Sequence, residues 1–232
     1  VNTRCWVIIP AAGTGQRMRA ALPKQYLPLL GRSVLEHSLS HFMSRQDIAG
    51  IIVALAPDDS YWPALEFLGK SSIRCVAGGP ERAVSVRNAL RELAQLAAPD
   101  DWVLVHDAAR PCLRASDLDN LLDTLHEHPI GGILAIPVRD TLKRVSAEGV
   151  IADTVVREGL WLAQTPQMFR LAMLAEALDQ AFTFGHPVTD EASAMELAGH
   201  VPCVVEGHSD NLKITRPEDL PLAEFLLSGL NC

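Results

Sequence analysis

Cysteine is scarce and badly spaced for structural work: Cys5, Cys75, Cys112, Cys203 and Cys232 are odd in number, and no two form a C-x-x-C pair. That argues against a disulfide framework and against a zinc site, and points to a reducing, cytoplasmic setting. Long apolar runs are missing as well. The longest fall far short of the roughly 20 residues that cross a bilayer, and Val1-Asn2-Thr3-Arg4 carries no signal-peptide pattern, so neither membrane insertion nor export is expected. Positive charge is in deficit, 20 Lys and Arg against 28 Asp and Glu for a net charge of -8. Such a chain has no general attraction for nucleic acid or anionic lipid, and any anionic ligand must be held by local basic groups. Repeats, low-complexity tracts and linkers are also lacking, so one domain over residues 1–232 is expected.

What is present is a succession of short β-branched runs: Cys5 to Ile9, Ile51 to Leu55, Ile73 to Val76, Trp102 to Val105 and Gly132 to Ile136. Their length and composition suit strands buried on both faces. Between them lie helical stripes, with Val34, Leu35, Ser38, Leu39 and Phe42 on one, Ala89, Leu90, Leu93, Leu96 and Ala97 on a second, and Leu118, Leu121, Leu122 and Leu125 on a third. Strands alternating with helices imply βαβ units, an α/β fold with a Rossmann-like, mostly parallel sheet flanked by helices. The alternation breaks after Pro137: Thr141–Val145 and Val150–Val156 flank Ser146-Ala147-Glu148-Gly149, a hairpin read as an arm at about 138–158. Helices are expected again at Leu171 to Phe182, Glu191 to Leu197 and about Glu218 to Leu227, with a strand at Cys203 to Val205.

The first strand runs into Pro10-Ala11-Ala12-Gly13-Thr14-Gly15-Gln16-Arg17-Met18, with Pro23-Lys24 shortly after. A glycine loop at the carboxyl end of a parallel strand lets backbone N–H groups approach phosphates closely. The loop is neither a Walker A sequence nor a dinucleotide fingerprint: Met18 stands where the latter needs Gly or Ala, and no acid follows at the usual spacing. Arg17 and Lys24 instead suit a triphosphate whose α-phosphorus is attacked; an ordinary βα turn with surface cations is the bland alternative. His106-Asp107-Ala108-Ala109-Arg110-Pro111 follows a second strand on the same edge. Asp107 there could hold Mg²⁺ or simply cap the next turn, while His106 reads as structural. Gly78-Gly79-Pro80-Glu81-Arg82, with Ser85 beyond it, forms another rim loop, a weak pattern by itself. Thr141, Arg157, Thr165 and Lys213 are candidates for an anionic second substrate; locally, Thr165 reads as a turn residue before Pro166 and Lys213 as part of a strand-like stretch.

Taken together, these pieces resemble one family, the 2-C-methyl-D-erythritol 4-phosphate cytidylyltransferases of the non-mevalonate isoprenoid pathway. The resemblance rests on Ala11 to Met18, Pro23-Lys24-Gln25-Tyr26, Gly78-Gly79 with Glu81-Arg82, Val105 to Pro111, Pro137 to Thr141, Gln164-Thr165-Pro166-Gln167, Thr189-Asp190-Glu191-Ala192-Ser193 and Lys213 to Asp219. It implies that Ala11, Ala12, Gly13 and Gly15 line a CTP site, with Arg17 and Lys24 on the phosphates and Gly79, Arg82 and Ser85 near the nucleoside. It further implies that Asp107 binds Mg²⁺ and that Arg110, Thr141, Arg157, Thr165 and Lys213 surround methylerythritol phosphate in a homodimer with exchanged arms. One position departs: relatives often read G-G-D-E-R where this chain has Pro80. A cytidylyltransferase for another polyol phosphate such as ribitol 5-phosphate is the alternative. A non-catalytic nucleotide-binding module is disfavoured by the coexistence of Arg17, Lys24 and Asp107, and a nicotinamide-dependent dehydrogenase by the failed fingerprint.

Overall fold

Seven strands form one sheet, in the order β11 (Cys203–Glu206), β7 (Gly131–Pro137), β10 (Trp161–Arg170), β6 (Trp102–Val105), β1 (Cys5–Pro10), β4 (Ile48–Leu55) and β5 (Ile73–Ala77). A computed structural model describes residues 4–15, 18, 22–67 and 69–230. In chain order the strands are β1 (Cys5–Pro10), a small ladder of β2 (Pro28–Leu29) and β3 (Arg32–Ser33), β4 (Ile48–Leu55), β5 (Ile73–Ala77), β6 (Trp102–Val105), β7 (Gly131–Pro137), β8 (Leu142–Val145), β9 (Ile151–Val155), β10 (Trp161–Arg170) and β11 (Cys203–Glu206). The helices are α1 (Val34–Met43), α2 (Arg82–Leu93), α3 (Ala115–Leu125), α4 (Leu171–Thr183), α5 (Glu191–Leu197) and α6 (Asp219–Leu230).

The apolar runs are uniform because both faces of each strand are covered. Along β1, Val7 and Ile9 pack on one side with Leu35, Leu39 and Leu121, while Ile8 packs on the other with Val86, Leu90 and Leu174. Helix starts follow local chemistry. Ser33 accepts the Glu36 N–H at 3.2 Å while Glu36 accepts the Ser33 N–H at 2.7 Å, a reciprocal cap that opens α1. A third cluster, with Leu29, Val34, Cys112, Ile214 and Leu227, seats α6 against the early loops.

Two sequence expectations are corrected. Thr165 is not in a turn: Gln164 to Gln167 lie inside β10, which runs antiparallel to both β6 and β7 in the middle of the sheet. Pro166 is tolerated there because the pairing of β10 with β7 is interrupted between Ala163 and Gln167, where no ladder N–H is demanded of it. Lys213 is not on a strand but in the loop between β11 and α6. Asp219 takes the N–H groups of Thr215 and Arg216 at 2.7 and 2.8 Å, bending that segment instead of extending it.

The topology places the site. From β1 the chain moves outward to β4 and β5, then returns to lay β6 on the opposite side of β1. Strand order therefore reverses beside β1, and the crevice outside the carboxyl ends of β1 and β6 is where such sheets bind ligands. The β8–β9 hairpin forms a separate two-stranded sheet, as expected for the arm.

Candidate active site

At the switch point the loops after β1, β5 and β6 converge on a cleft lined by Ala11, Ala12, Gly13, Lys24, Gly79, Pro80, Arg82, Ser85, Asp107 and Lys213, among others. Gly13 is exposed, and a Cβ built on it would meet no atom within 4 Å, so the missing side chain leaves room for a ligand against the backbone. Gly78 has the opposite reason to be glycine: its Cβ would stand 2.4 Å from that of Ala12, and the two rim loops could not approach. Gly15, at φ +66, lies against the Lys24 side chain. Ser85 is buried, and its hydroxyl accepts the Gly79 N–H at 3.0 Å and donates to Glu81 O at 3.2 Å, fixing the second loop. Lys24 sits on a short 3-10 turn anchored by Gln25, whose side-chain amide donates to Ala11 O at 2.7 Å. The Lys24 ammonium reaches Ile214 O at 3.0 Å.

Asp107 is the electrostatic centre. Its carboxylate accepts Arg82 Nε at 2.8 Å and stands 2.8 Å from Lys213 Nζ and 3.5 Å from Arg110 Nε. Burial opposes its charge, but Arg82, Lys213 and Arg110 outweigh that and hold the carboxyl well below the usual carboxylate range. Among the described residues its carboxylate partners are these cations and not the backbone of the following turn. Arg110 in turn donates to Asn211 O at 2.5 Å, so its head is held mainly by protein.

Behind Asp107 lies a buried relay. His106 Nε2 is 3.0 Å from the carbonyl of Arg110 and must carry the proton, leaving Nδ1 to accept from the Thr165 hydroxyl at 3.1 Å. The same hydroxyl accepts the Asp107 N–H at 3.0 Å. Burial above all, with nearby His41, pushes the His106 pKa down to about 3, consistent with a neutral ring. His106 is thus structural, as expected, and Thr165 sets the backbone of Asp107.

Of the other expected site residues, Arg17 lies outside the described residues. Thr141 and Arg157 are exposed at the base of the arm and do not line the cleft; the Arg157 guanidinium donates to Arg139 O. Gln25 and Glu191 join the site without a local sequence signal of their own. Gln25 lies inside the Pro23-Lys24-Gln25-Tyr26 motif. Glu191, buried and paired through both oxygens with Arg82, follows the N-cap of α5, where an acid is ordinarily read as a complement to the helix dipole.

The chain matches known proteins along nearly all of its length. The family model for 2-C-methyl-D-erythritol 4-phosphate cytidylyltransferase matches residues 5–229. The cytidylyltransferase of that name from Pseudomonas aeruginosa is 56% identical over 216 residues, 93% of this chain and 92% of that protein; the one from Pseudomonas fluorescens is 57% identical over the same shares. Among solved structures, a 4-diphosphocytidyl-2C-methyl-D-erythritol synthase superposes with a TM-score of 0.85 at 39% identity, covering 98% of this chain and 99% of that one. The Francisella tularensis cytidylyltransferase gives 0.84 at 38%, covering 97% and 100%. The chain belongs to the 2-C-methyl-D-erythritol 4-phosphate cytidylyltransferase family.

Proposed function

We propose that this nucleotidyltransferase moves CMP from CTP to 2-C-methyl-D-erythritol 4-phosphate in the cleft at the ends of β1 and β6, releasing pyrophosphate. The observation that carries the placement is the gathering of Arg82, Lys213 and Arg110 around one ionised carboxylate, in a cleft that Lys24 and an open glycine backbone also line. The nucleophile is an oxygen of the substrate phosphate, already largely ionised near neutrality because a phosphomonoester's second pKa is about 6. No protein base is required. The work of the site is alignment and neutralisation: the backbone around Ala11, Ala12, Gly13 and Gly15 cradles the triphosphate, and Arg17 and Lys24 meet charge that builds on its oxygens. Gly79, Arg82 and Ser85 lie on the nucleotide side. Arg110, Thr165 and Lys213 lie toward the second phosphate, Thr165 acting through Asp107.

Among the described residues no three His, Cys, Asp or Glu side chains are grouped to hold a metal by themselves. Mg²⁺ needs only one or two carboxylates when phosphates and water supply the rest. Asp107, ionised and lining the cleft, is the carboxylate that would hold the ion, sharing with it oxygens that Arg82 and Lys213 already engage. When bound, the ion would neutralise charge on the triphosphate.

The arm completes the reading. Val145, Val150, Ile151 and Val156 are all exposed, with Val156 at 74%, more apolar surface than a hairpin leaves in water. A twofold homodimer with exchanged arms covers that surface and carries Thr141 and Arg157 into the partner's cleft. The test of the activity is pyrophosphate release for each nucleoside triphosphate against methylerythritol, ribitol and sugar phosphates, with and without Mg²⁺. Release confined to CTP with methylerythritol phosphate, and dependent on the ion, is expected; preference for ribitol phosphate or another nucleotide overturns the assignment.

A further inference from the structure

The Thr189-Asp190-Glu191-Ala192-Ser193 motif lines no part of the cleft, yet it is tied to it by a chain of bonds. Asp190 caps α5 by accepting the Ser193 N–H at 2.9 Å and also accepts Gln167 Nε2 at 2.9 Å, while Gln167 Oε1 accepts the Ala192 N–H at 2.9 Å. The start of α5 is thereby fixed to the stretch of β10 that carries Thr165. Glu191 lies between these anchors, 1% exposed, with Oε1 and Oε2 taking Arg82 Nη1 and Nη2 at 2.6 and 2.9 Å. The third nitrogen of Arg82, Nε, donates to Asp107 at 2.8 Å.

A guanidinium has five N–H donors in a rigid plane. Three are engaged here, so two remain on a group that lines the cleft. A first-turn acid that merely complements a helix dipole stays in water and needs no partner; Glu191 is buried, and both its oxygens are committed to one arginine. Burial works against the charge on Arg82, but Glu191 first and Asp107 next raise its pKa above the ordinary arginine value, so it is a permanent cation. With Glu191 neutral, Asp107 would be the one charged partner left to that guanidinium among the described residues. Arg82 would then turn fully onto Asp107 and away from the ligand.

We infer that Glu191 is a positioning residue for nucleotide binding, a buried carboxylate that holds Arg82 in one orientation so that its remaining donors meet the bound CTP. This rests on the assignment of Arg82 to the nucleotide side of the cleft. The test uses the full chain with Mg²⁺ and compares Glu191→Gln, Glu191→Asp, Arg82→Ala and the double variant Arg82→Ala/Glu191→Gln, by calorimetric titration with CTP and by steady-state kinetics. One charge-assisted contact is at stake, so Glu191→Gln should weaken CTP binding and raise the KM for CTP about tenfold, with the KM for methylerythritol phosphate changed by less than about twofold. Glu191→Asp keeps the charge but loses one methylene of reach, and falls between. In the Arg82→Ala background the Gln substitution should cost nothing more. A folded Glu191→Gln protein with unchanged CTP affinity overturns the inference, as does an additive double variant or a loss confined to kcat with both KM values intact. If Glu191→Gln does not fold, an unchanged CTP affinity in Glu191→Asp overturns it equally. Normal CTP binding by Arg82→Ala would instead remove the underlying assignment of Arg82, and the inference with it.

Discussion

At the carboxyl ends of β1 and β6, Lys24, Arg82, Asp107, Arg110 and Lys213 are each held by another part of the same chain; along the β8–β9 arm, Val150, Ile151 and Val156 stand exposed. The contrast separates two ways of building a site. In the cleft these charged side chains have protein partners before any substrate arrives, and their positions are set by neighbouring groups: buried Thr165 on the Asp107 backbone, buried Ser85 on the Gly79 loop, and half-buried Asp219 on the turn after Lys213. Preorganisation of that kind stabilises a transition state without a reorganisation cost at the moment of reaction. The arm has no comparable network, and Thr141 and Arg157 at its base stay away from their own cleft. One region is finished within the chain, and the other leaves apolar side chains open to solvent.

Breaking the finished region should have the largest effect. Lys24→Ala removes a cation that the turn at Lys24–Tyr26 and the Gln25 anchor aim at the cleft. Loss of one such contact commonly costs about 3 kcal/mol in the transition state, roughly a hundredfold in kcat, and less in CTP affinity. Near-normal turnover at saturating substrate would take Lys24 out of the mechanism.

The arm is tested by mixing two inactive proteins, Lys24→Ala and Arg157→Ala, under conditions where subunits exchange. If each cleft takes Lys24 from one chain and Arg157 from its partner, a mixed dimer has one doubly damaged site and one intact site. Random equal pairing makes half the dimers mixed, so roughly a quarter of wild-type activity should return in an isologous dimer. When exchange is verified and no activity returns, each site is built from one chain and the contrast between the two regions collapses.

Much of this was legible in the sequence, and the failures have physical causes. The parallel strands announced themselves because burial on both faces leaves an uninterrupted apolar run, as in Val7-Ile8-Ile9 and Trp102 to Val105. The hairpin was legible from its turn at Ser146 to Gly149. Strand β10 was not, since Gln164, Thr165, Pro166 and Gln167 are polar or strand-breaking by local preference and are justified only by tertiary partners: His106, Asp107, Asn211 and Asp190. The site residues next to glycines and at strand ends could be found, because a cleft at the switch point demands them. Glu191 could not, because its partner Arg82 is 109 residues away in the chain and nothing local distinguishes it from a helix cap. Pro80, the departure from the usual motif, lines the cleft in an exposed position where its ring leaves the Ser85 to Gly79 bond intact.

The smallest expected effect concerns two histidines that pack together behind Asp107. His41 and His106 pack edge to face, with ring centroids 6.5 Å apart, and each spends Nε2 on a backbone carbonyl, Pro111 O for His41 and Arg110 O for His106. Burial lowers both pKa values, that of His106 to about 3; for His41 the bond to Pro111 offsets part of the fall. A histidine depressed in the folded state titrates first in the unfolded chain, where its pKa is about 6.5. Its stabilisation is therefore complete above that pH and is lost as pH falls, because the unfolded state then binds the extra proton. Each such imidazole steepens the loss by up to about 1.4 kcal/mol per pH unit. Carboxylates held ionised in the folded state, Asp107 among them, act in the same direction, but only as pH approaches their unfolded value of about 4. The interval from roughly pH 6.5 to 5 thus belongs to the histidines. Denaturant unfolding across it should show stability falling with pH, and His41→Gln, which keeps a donor for the Pro111 carbonyl but cannot take a proton, should fall less steeply. An identical slope in the two proteins would mean that His41 takes its proton as readily in the folded protein as in the unfolded chain, and that it does not contribute to the pH dependence of stability.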